Sequence, residues 1–122
     1  MKSKLFSILL FSVLVFACKD KKTVGAGNFT EGVFITCEGP FLTGTGTVTF
    51  INEELQEPLQ DIFGAQNGGT SIGNVLQSAT LIGDKMYLVV NNANKIVVVD
   101  AKTFKFVKEI TGLAQPRYLL DL

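Results

Sequence analysis

The chain contains no histidine and no tryptophan. Without an imidazole, neither a Ser-His-Asp nor a Cys-His nucleophilic site can be assembled, and His-ligated metals are excluded with them. Cysteine is scarce, with Cys18 and Cys37 the two in 122 residues, and proline occurs three times. Lys and Arg together number 11, as do Asp and Glu, so there is no basic surplus and nucleic acid is not an expected partner. Helical periodicity is also missing. The stretch from Asn52 to Gln60 has room for a turn at most, and Pro58 interrupts it. One long uncharged apolar run exists, the thirteen residues from Leu5 to Ala17. Spanning a bilayer takes about 20 such residues, so the run is too short for a permanent anchor.

What is there begins with that run. Lys2 and Lys4 precede it, Lys19 follows it, and no face of it is polar, which is the pattern of an export signal and not of a buried helix. Its end, Val15-Phe16-Ala17-Cys18, resembles a lipobox, with Ala17 as the small residue before the cut and Phe16 bulkier than usual. On this reading residues 1–17 are a lipoprotein signal peptide and the Cys18 thiol accepts a diacylglycerol. Each buried methylene of an acyl chain contributes about 0.8 kcal/mol, so several chains would hold the protein on a lipid bilayer. The mature chain then has 105 residues (122 − 17), and losing Lys2 and Lys4 leaves nine basic against eleven acidic groups. Residues 18–31 open charged and turn glycine-rich, as a lipidated tether would. With Cys18 acylated, Cys37 has no partner for an intramolecular disulfide.

From Phe29 onward the chain reads as short β runs. They are Val33 to Cys37, Thr47 to Ile51, Leu59 to Phe63, Ser78 to Ile82, Met86 to Val90, Lys95 to Val99, Phe106 to Ile110 and Arg117 to Leu120. Between them stand turn formers: Glu38-Gly39-Pro40, Thr43 to Gly46, Asn67-Gly68-Gly69, Gly83-Asp84, Asn91 to Asn94 and Gly112. The expectation is an all-β fold. A repeat runs beneath these strands. Phe34 matches Tyr87 at an offset of 53, Asn52 matches Asp100 at 48, and Pro116 to Leu120 match Gln77 to Leu81 at 39. Periods near 40 residues, with about four strands each, mark β-propeller blades.

Three segments carry a more specific resemblance: Lys85 to Asn92, Lys95 to Asp100, and Ile110 to Tyr118. They resemble the YVTN-type β-propeller repeat, and in particular the surface lipoproteins that accompany TonB-dependent outer-membrane transporters, some of which bind cobalamin. The resemblance implies that residues 32–122 are the N-terminal part of a propeller of four-stranded antiparallel blades. About two and a half blades would be present, an incomplete ring, since even small propellers need about four. It also implies an outer-membrane lipoprotein that captures a small nutrient for a transporter. The alternatives are a structural or adhesive propeller that contacts proteins, or a truncated fragment with no function of its own. An enzyme is not expected, nor is a cofactor or a metal.

Individual residues add little chemistry. Cys37, matched to Val90, reads as a small buried hydrophobe. Glu53, Glu54 and Glu57 read as a solvated loop face, and Asp100 as the carboxylate that caps a tight turn. In an antiparallel blade the loops Glu38 to Gly46, Gly64 to Leu76, Asn91 to Asn94 and Gly112 to Gln115 should emerge on one face. That face would gather Asn67, Asn74, Gln77, Asn91, Asn92, Gln115 and Arg117 as a candidate ligand site, amides and one guanidinium suiting a neutral or anionic polar ligand. The same asparagines also suit left-handed turn positions, a purely structural role.

Overall fold

The computed structural model describes residues 27–52 and 57–122. The signal segment, Cys18, most of the tether, and Glu53 and Glu54 lie outside the described residues.

The described chain is all-β apart from one helical turn. Two strands, β1 (Val33–Cys37) and β2 (Thr47–Ile51), pair antiparallel. After the short helix α1 (Ile62–Gln66) come β3 (Leu76–Ile82), β4 (Lys85–Val90), β5 (Lys95–Asp100) and β6 (Phe106–Ile110). These form a sequential antiparallel sheet in the order β3-β4-β5-β6, the pairing the alternating apolar residues predict. Gly83, at φ 58, takes the first position of the two-residue β3–β4 hairpin, where only glycine is comfortable. β5 is buried from Ile96 to Val99 on both faces, so its run of β-branched residues needs no polar alternation.

Residue pairing confirms the repeat. In the first sheet Val33 faces Ile51, Phe34 faces Phe50, and Cys37 faces Thr47. Adding 53 to the β1 numbers and 48 to the β2 numbers reproduces the β4–β5 register: Met86 with Val99, Tyr87 with Val98, Val90 with Lys95. Hydrogen bonds also link residues 39 apart. Gly27 N–H donates to Gln66 Oε1 at 3.5 Å, Phe106 N–H to Asn67 Oδ1 at 2.8 Å, and Ser78 Oγ to the Arg117 carbonyl at 2.8 Å. The two sheets are stacked face to face, with a separation of 39 recurring among the bonds between segments, a propeller-like arrangement.

The main core lies between the two sheets. Val48 and Phe50 from β2 meet Met86, Leu88 and Val90 from β4 and Val97 and Val99 from β5, with Ile62, Phe63, Ile72 and Phe104 closing the sides. Phe29, Phe34, Phe50 and Phe104 form an aromatic knot whose ring centroids lie 5.0–6.5 Å apart, mostly tilted or edge-on, the geometry aromatic quadrupoles favour. The opposite face of the four-stranded sheet carries Val89, Ile96 and Val98, flanked in the same sheet by Tyr87 and Ile110 and packed on by Leu113 and Leu119.

Three expectations are corrected. Leu59 to Phe63 is not a strand: Leu59 makes a single antiparallel bridge to Phe50, and Ile62 enters α1. Asp61, with φ 44, ends the extended path and caps the helix by accepting from the Gly64 N–H. Arg117 to Leu120 forms no strand; it runs beside β3, where the Arg117 and Leu119 carbonyls accept from the Ser78 and Thr80 hydroxyls. The third correction is Cys37, which is exposed. Val90 is buried because β1 and β2 cover its face. Cys37 holds the same place in its own sheet, on a face shared with Val33 (61 % exposed) and Ile35 (43 % exposed), and no described sheet covers it. Cys37 is therefore expected to react with iodoacetamide in the folded chain at nearly the unfolded-state rate. Strong protection of the native thiol would show that something does lie over this face.

Candidate functional site

The two sheets present two ends. At one end stand the β1–β2 loop and the β4–β5 turn from Asn91 to Asn94; at the other, the β3–β4 turn and the β5–β6 turn. Six of the seven candidate ligand residues gather at the first end, in or beside these loops. Asn67 does not. It sits at the second end, where its side-chain N–H groups donate to the Phe63 and Phe104 carbonyls (2.8 and 2.9 Å) and its Oδ1 accepts from Phe106 N–H. The loop after α1 starts at one end of the sheet and crosses to the other, so its two asparagines are separated.

At the first end Asn74 is the hub. Its Oδ1 accepts from Leu42 N–H (3.1 Å) and Asn92 Nδ2 (3.0 Å), and its Nδ2 donates to the Pro40 and Gly44 carbonyls at 2.8 Å each. All four hydrogen-bonding positions of the amide are filled. One side chain therefore ties the β1–β2 loop to the β4–β5 turn. Thr45 and Ser71 add a hydroxyl link at 2.8 Å, and Gly46 N–H donates to the Gly73 carbonyl at 2.8 Å. Asn91 Nδ2 donates to the Pro116 carbonyl (2.9 Å), and Asn94 Oδ1 accepts from Gln115 N–H (2.9 Å). These bonds hold the segment from Gly112 to Arg117 against the same turn. Of the asparagines named, Asn94 takes the left-handed conformation, at φ 52, and the rest bridge through their amides.

The exposed groups at this end are fewer. Gln77 Nε2 reaches Glu38 Oε1 at 3.4 Å, a long and weak contact. Gln115 and Arg117 are exposed, and their side chains make no hydrogen bond or ion pair among the described residues. Beside them stand two residues that sequence reasoning missed, Phe41 and Leu42, both large, apolar and exposed. Leu42 has φ 64, a left-handed backbone that a leucine adopts reluctantly and that Asn74 holds in place. No sequence signal distinguishes an exposed apolar pair in a loop from one that folds inward, and the pair lies in a stretch read as turn.

The second end carries a carboxylate cap with three donors. Asp100 Oδ1 accepts from Thr103 N–H (2.9 Å), Thr103 Oγ1 (3.0 Å) and Lys102 N–H (3.1 Å), as the turn reading anticipated. The Thr103 backbone and hydroxyl, then Lys102 N–H and the nearby Lys85 ammonium, hold the Asp100 carboxyl below its ordinary value of 3.8, against a smaller desolvation effect. A carboxylate lowered in the folded state stabilises above its unfolded value, and that contribution is lost as pH falls through the folded one. Asp100→Asn should therefore lower the melting temperature at neutral pH, and the gap to the parent should close as pH is taken below the carboxylate range. Thermal unfolding followed from neutral to acid pH checks this; a gap constant with pH would assign the cap's effect to shape and not to charge.

The family described as Domain of unknown function (DUF5074) matches residues 31–118, and the chain belongs to that family. A search of curated proteins found no match.

Proposed function

We propose that the chain is a lipid-anchored β-propeller binding module of the YVTN type. On this reading it sits on the outer membrane and captures a small polar ligand for a TonB-dependent transporter. The observation that carries the reading is the cluster of amides at one end of both sheets. Asn74 and Asn92 rigidify that end, and Gln115 and Arg117 are exposed beside them, with the half-buried Gln77 in its weak contact to Glu38. Amide and guanidinium donors carried beside loops that are held in place suit a neutral or anionic ligand rich in acceptors. The test is calorimetric titration of the purified chain with cyanocobalamin, as a probe of one polar amide-rich ligand class, and with acidic sugars. Saturable binding is expected, weakened about tenfold or more by Arg117→Ala, since a hydrogen bond to a charged group is worth roughly 1.5–3 kcal/mol. Binding unchanged by Arg117→Ala, or absent for both ligand classes, would defeat the reading.

A second reading, a surface propeller that contacts other proteins, is favoured by Phe41 and Leu42. An exposed apolar pair on a loop pinned by hydrogen bonds is shaped as an anchor for a partner's pocket. Replacing both with serine would abolish protein capture on this reading and leave small-ligand titrations intact.

A further inference from the structure

We propose that Asn67 is a modification site: its side-chain amide is hydrolysed through attack by the Gly68 nitrogen when the loop after α1 opens, and the altered residue no longer ties α1 to the β5–β6 turn. Of the asparagines in the chain, Asn67 is the one followed by glycine. Glycine has no Cβ to crowd its backbone nitrogen, and it gives the chain the freedom to bring that nitrogen onto the side chain before it. Gly68 and Gly69 are exposed, and an added Cβ at either would meet nothing within 4 Å, so water and hydroxide reach the turn.

In the reaction the Gly68 nitrogen gives its proton to solvent base and attacks Cγ of Asn67. The Cγ–Nδ2 bond breaks, Nδ2 takes a proton from solvent and leaves as ammonia, and a cyclic imide closes. Water then adds to one of the two imide carbonyl carbons. Opening at Cγ gives aspartate. Opening at the main-chain carbonyl gives isoaspartate, whose backbone runs through the former side chain. One water is consumed and one ammonia released, and nothing is oxidised or reduced.

The folded chain withholds this step and makes its products costly. Asn67 Nδ2 donates to the Phe63 and Phe104 carbonyls at 2.8 and 2.9 Å, and Oδ1 accepts from Phe106 N–H at 2.8 Å. The main-chain carbonyl of Asn67 accepts from Thr70 N–H at 3.2 Å and from Thr70 Oγ1 at 2.7 Å. Turning the amide carbon onto the Gly68 nitrogen breaks the side-chain bonds, so attack waits on local opening. Phe104 depends on the same bonds. It is fully buried at φ 56, a left-handed backbone that a bulky aromatic keeps only where its surroundings impose it. Asn67 holds its carbonyl, and the Asp100 carbonyl accepts from its N–H at 2.8 Å. In the aspartate product a carboxylate with no proton to donate faces the Phe63 and Phe104 carbonyls, so it repels them and both lose a donor. The isoaspartate product adds a methylene to the main chain and displaces the Thr70 contacts as well.

The experiment ages the purified full chain with reductant at mildly alkaline pH, in native buffer and in guanidinium chloride, and follows each asparagine by peptide mass spectrometry. In denaturant Asn67 should convert faster than any other asparagine of the chain. Gly68→Ala should slow that denatured-state reaction about tenfold or more, because its Cβ crowds the attacking nitrogen. In native buffer the parent should convert at Asn67 at least about tenfold more slowly than in denaturant, since opening must come first. Asn67→Asp, which carries the aspartate product from the start, should melt below the parent at neutral pH or fail to fold. Conversion in denaturant no faster at Asn67 than at the other asparagines overturns the proposal, as do equal rates in native buffer and denaturant. An Asn67→Asp chain that melts as the parent does overturns it too, because the amide would then tie nothing that matters.

Discussion

Replacing Phe50 with alanine should cost about 3–5 kcal/mol, the range for truncating a buried aromatic. Phe50 is 1 % exposed, meets Phe29 edge-on at 5.1 Å and Phe34 at 5.0 Å, and exchanges both backbone hydrogen bonds with Leu59 at 2.9 Å. It therefore joins three things at once: the first sheet, the entry from Phe29, and the approach to α1. Domains of this size have a total stability of about 5–15 kcal/mol, so the variant should lose most of its cooperative unfolding transition at ambient temperature. Urea denaturation followed by circular dichroism reads the effect. A loss under about 1 kcal/mol would mean that the neighbouring phenylalanines collapse into the space, and that the knot is looser than its distances indicate.

Gly46→Ala should be comparably damaging, for the opposite reason. Gly46 is buried where the β1–β2 loop enters β2, and an added Cβ would stand 2.4 Å from the Leu76 Cβ and 3.1 Å from both the Cys37 carbonyl oxygen and the Leu76 nitrogen. These are rigid atoms of two different sheets, which cannot swing aside as the tip of a long side chain can. Overpacking in a core typically costs about 1–3 kcal/mol, and contacts this short belong at the upper limit. The substitution should also separate the sheets locally, breaking the Gly46 N–H bond to the Gly73 carbonyl. Native-state hydrogen exchange at Gly46 should then quicken well beyond the global change. Parent-like exchange there would show that the sheets can shift apart without cost.

The strands were legible because each is a short run rich in β-branched, aromatic or other apolar residues between turn formers, and the register followed from the offsets of the repeat. β1, β2 and β6 have the bounds that their runs predict, and β3, β4 and β5 extend one or two residues beyond theirs. Leu59 to Phe63 has the composition of a strand, and nothing local distinguishes it from one. Asp61 decides the matter by accepting from Gly64 N–H, a bond between neighbours that a composition pattern does not encode. Cys37 illustrates a second blind spot. Its match to Val90 is right in position and wrong in burial, because burial depends on what covers a face and not on the residue that lies in it. At the candidate site, topology placed six of seven residues at one end. It could not separate amides that tie loops together, such as Asn74, from side chains left for solvent or a ligand, such as Arg117. That distinction rests on distances of a few tenths of an ångström between chain segments remote in sequence.

The recurring spacing of 39 between bonded residues means that each sheet lends one face to the repeat before it and the other to the repeat after it. A chain that folds repeat by repeat therefore carries two naked fronts at any moment: the fixed face of Val33 and Ile35, which no described sheet covers, and the advancing face of the newest sheet. A holdase meeting the chain before it has folded would have those two fronts to guard, and the advancing one moves on by one repeat at a time.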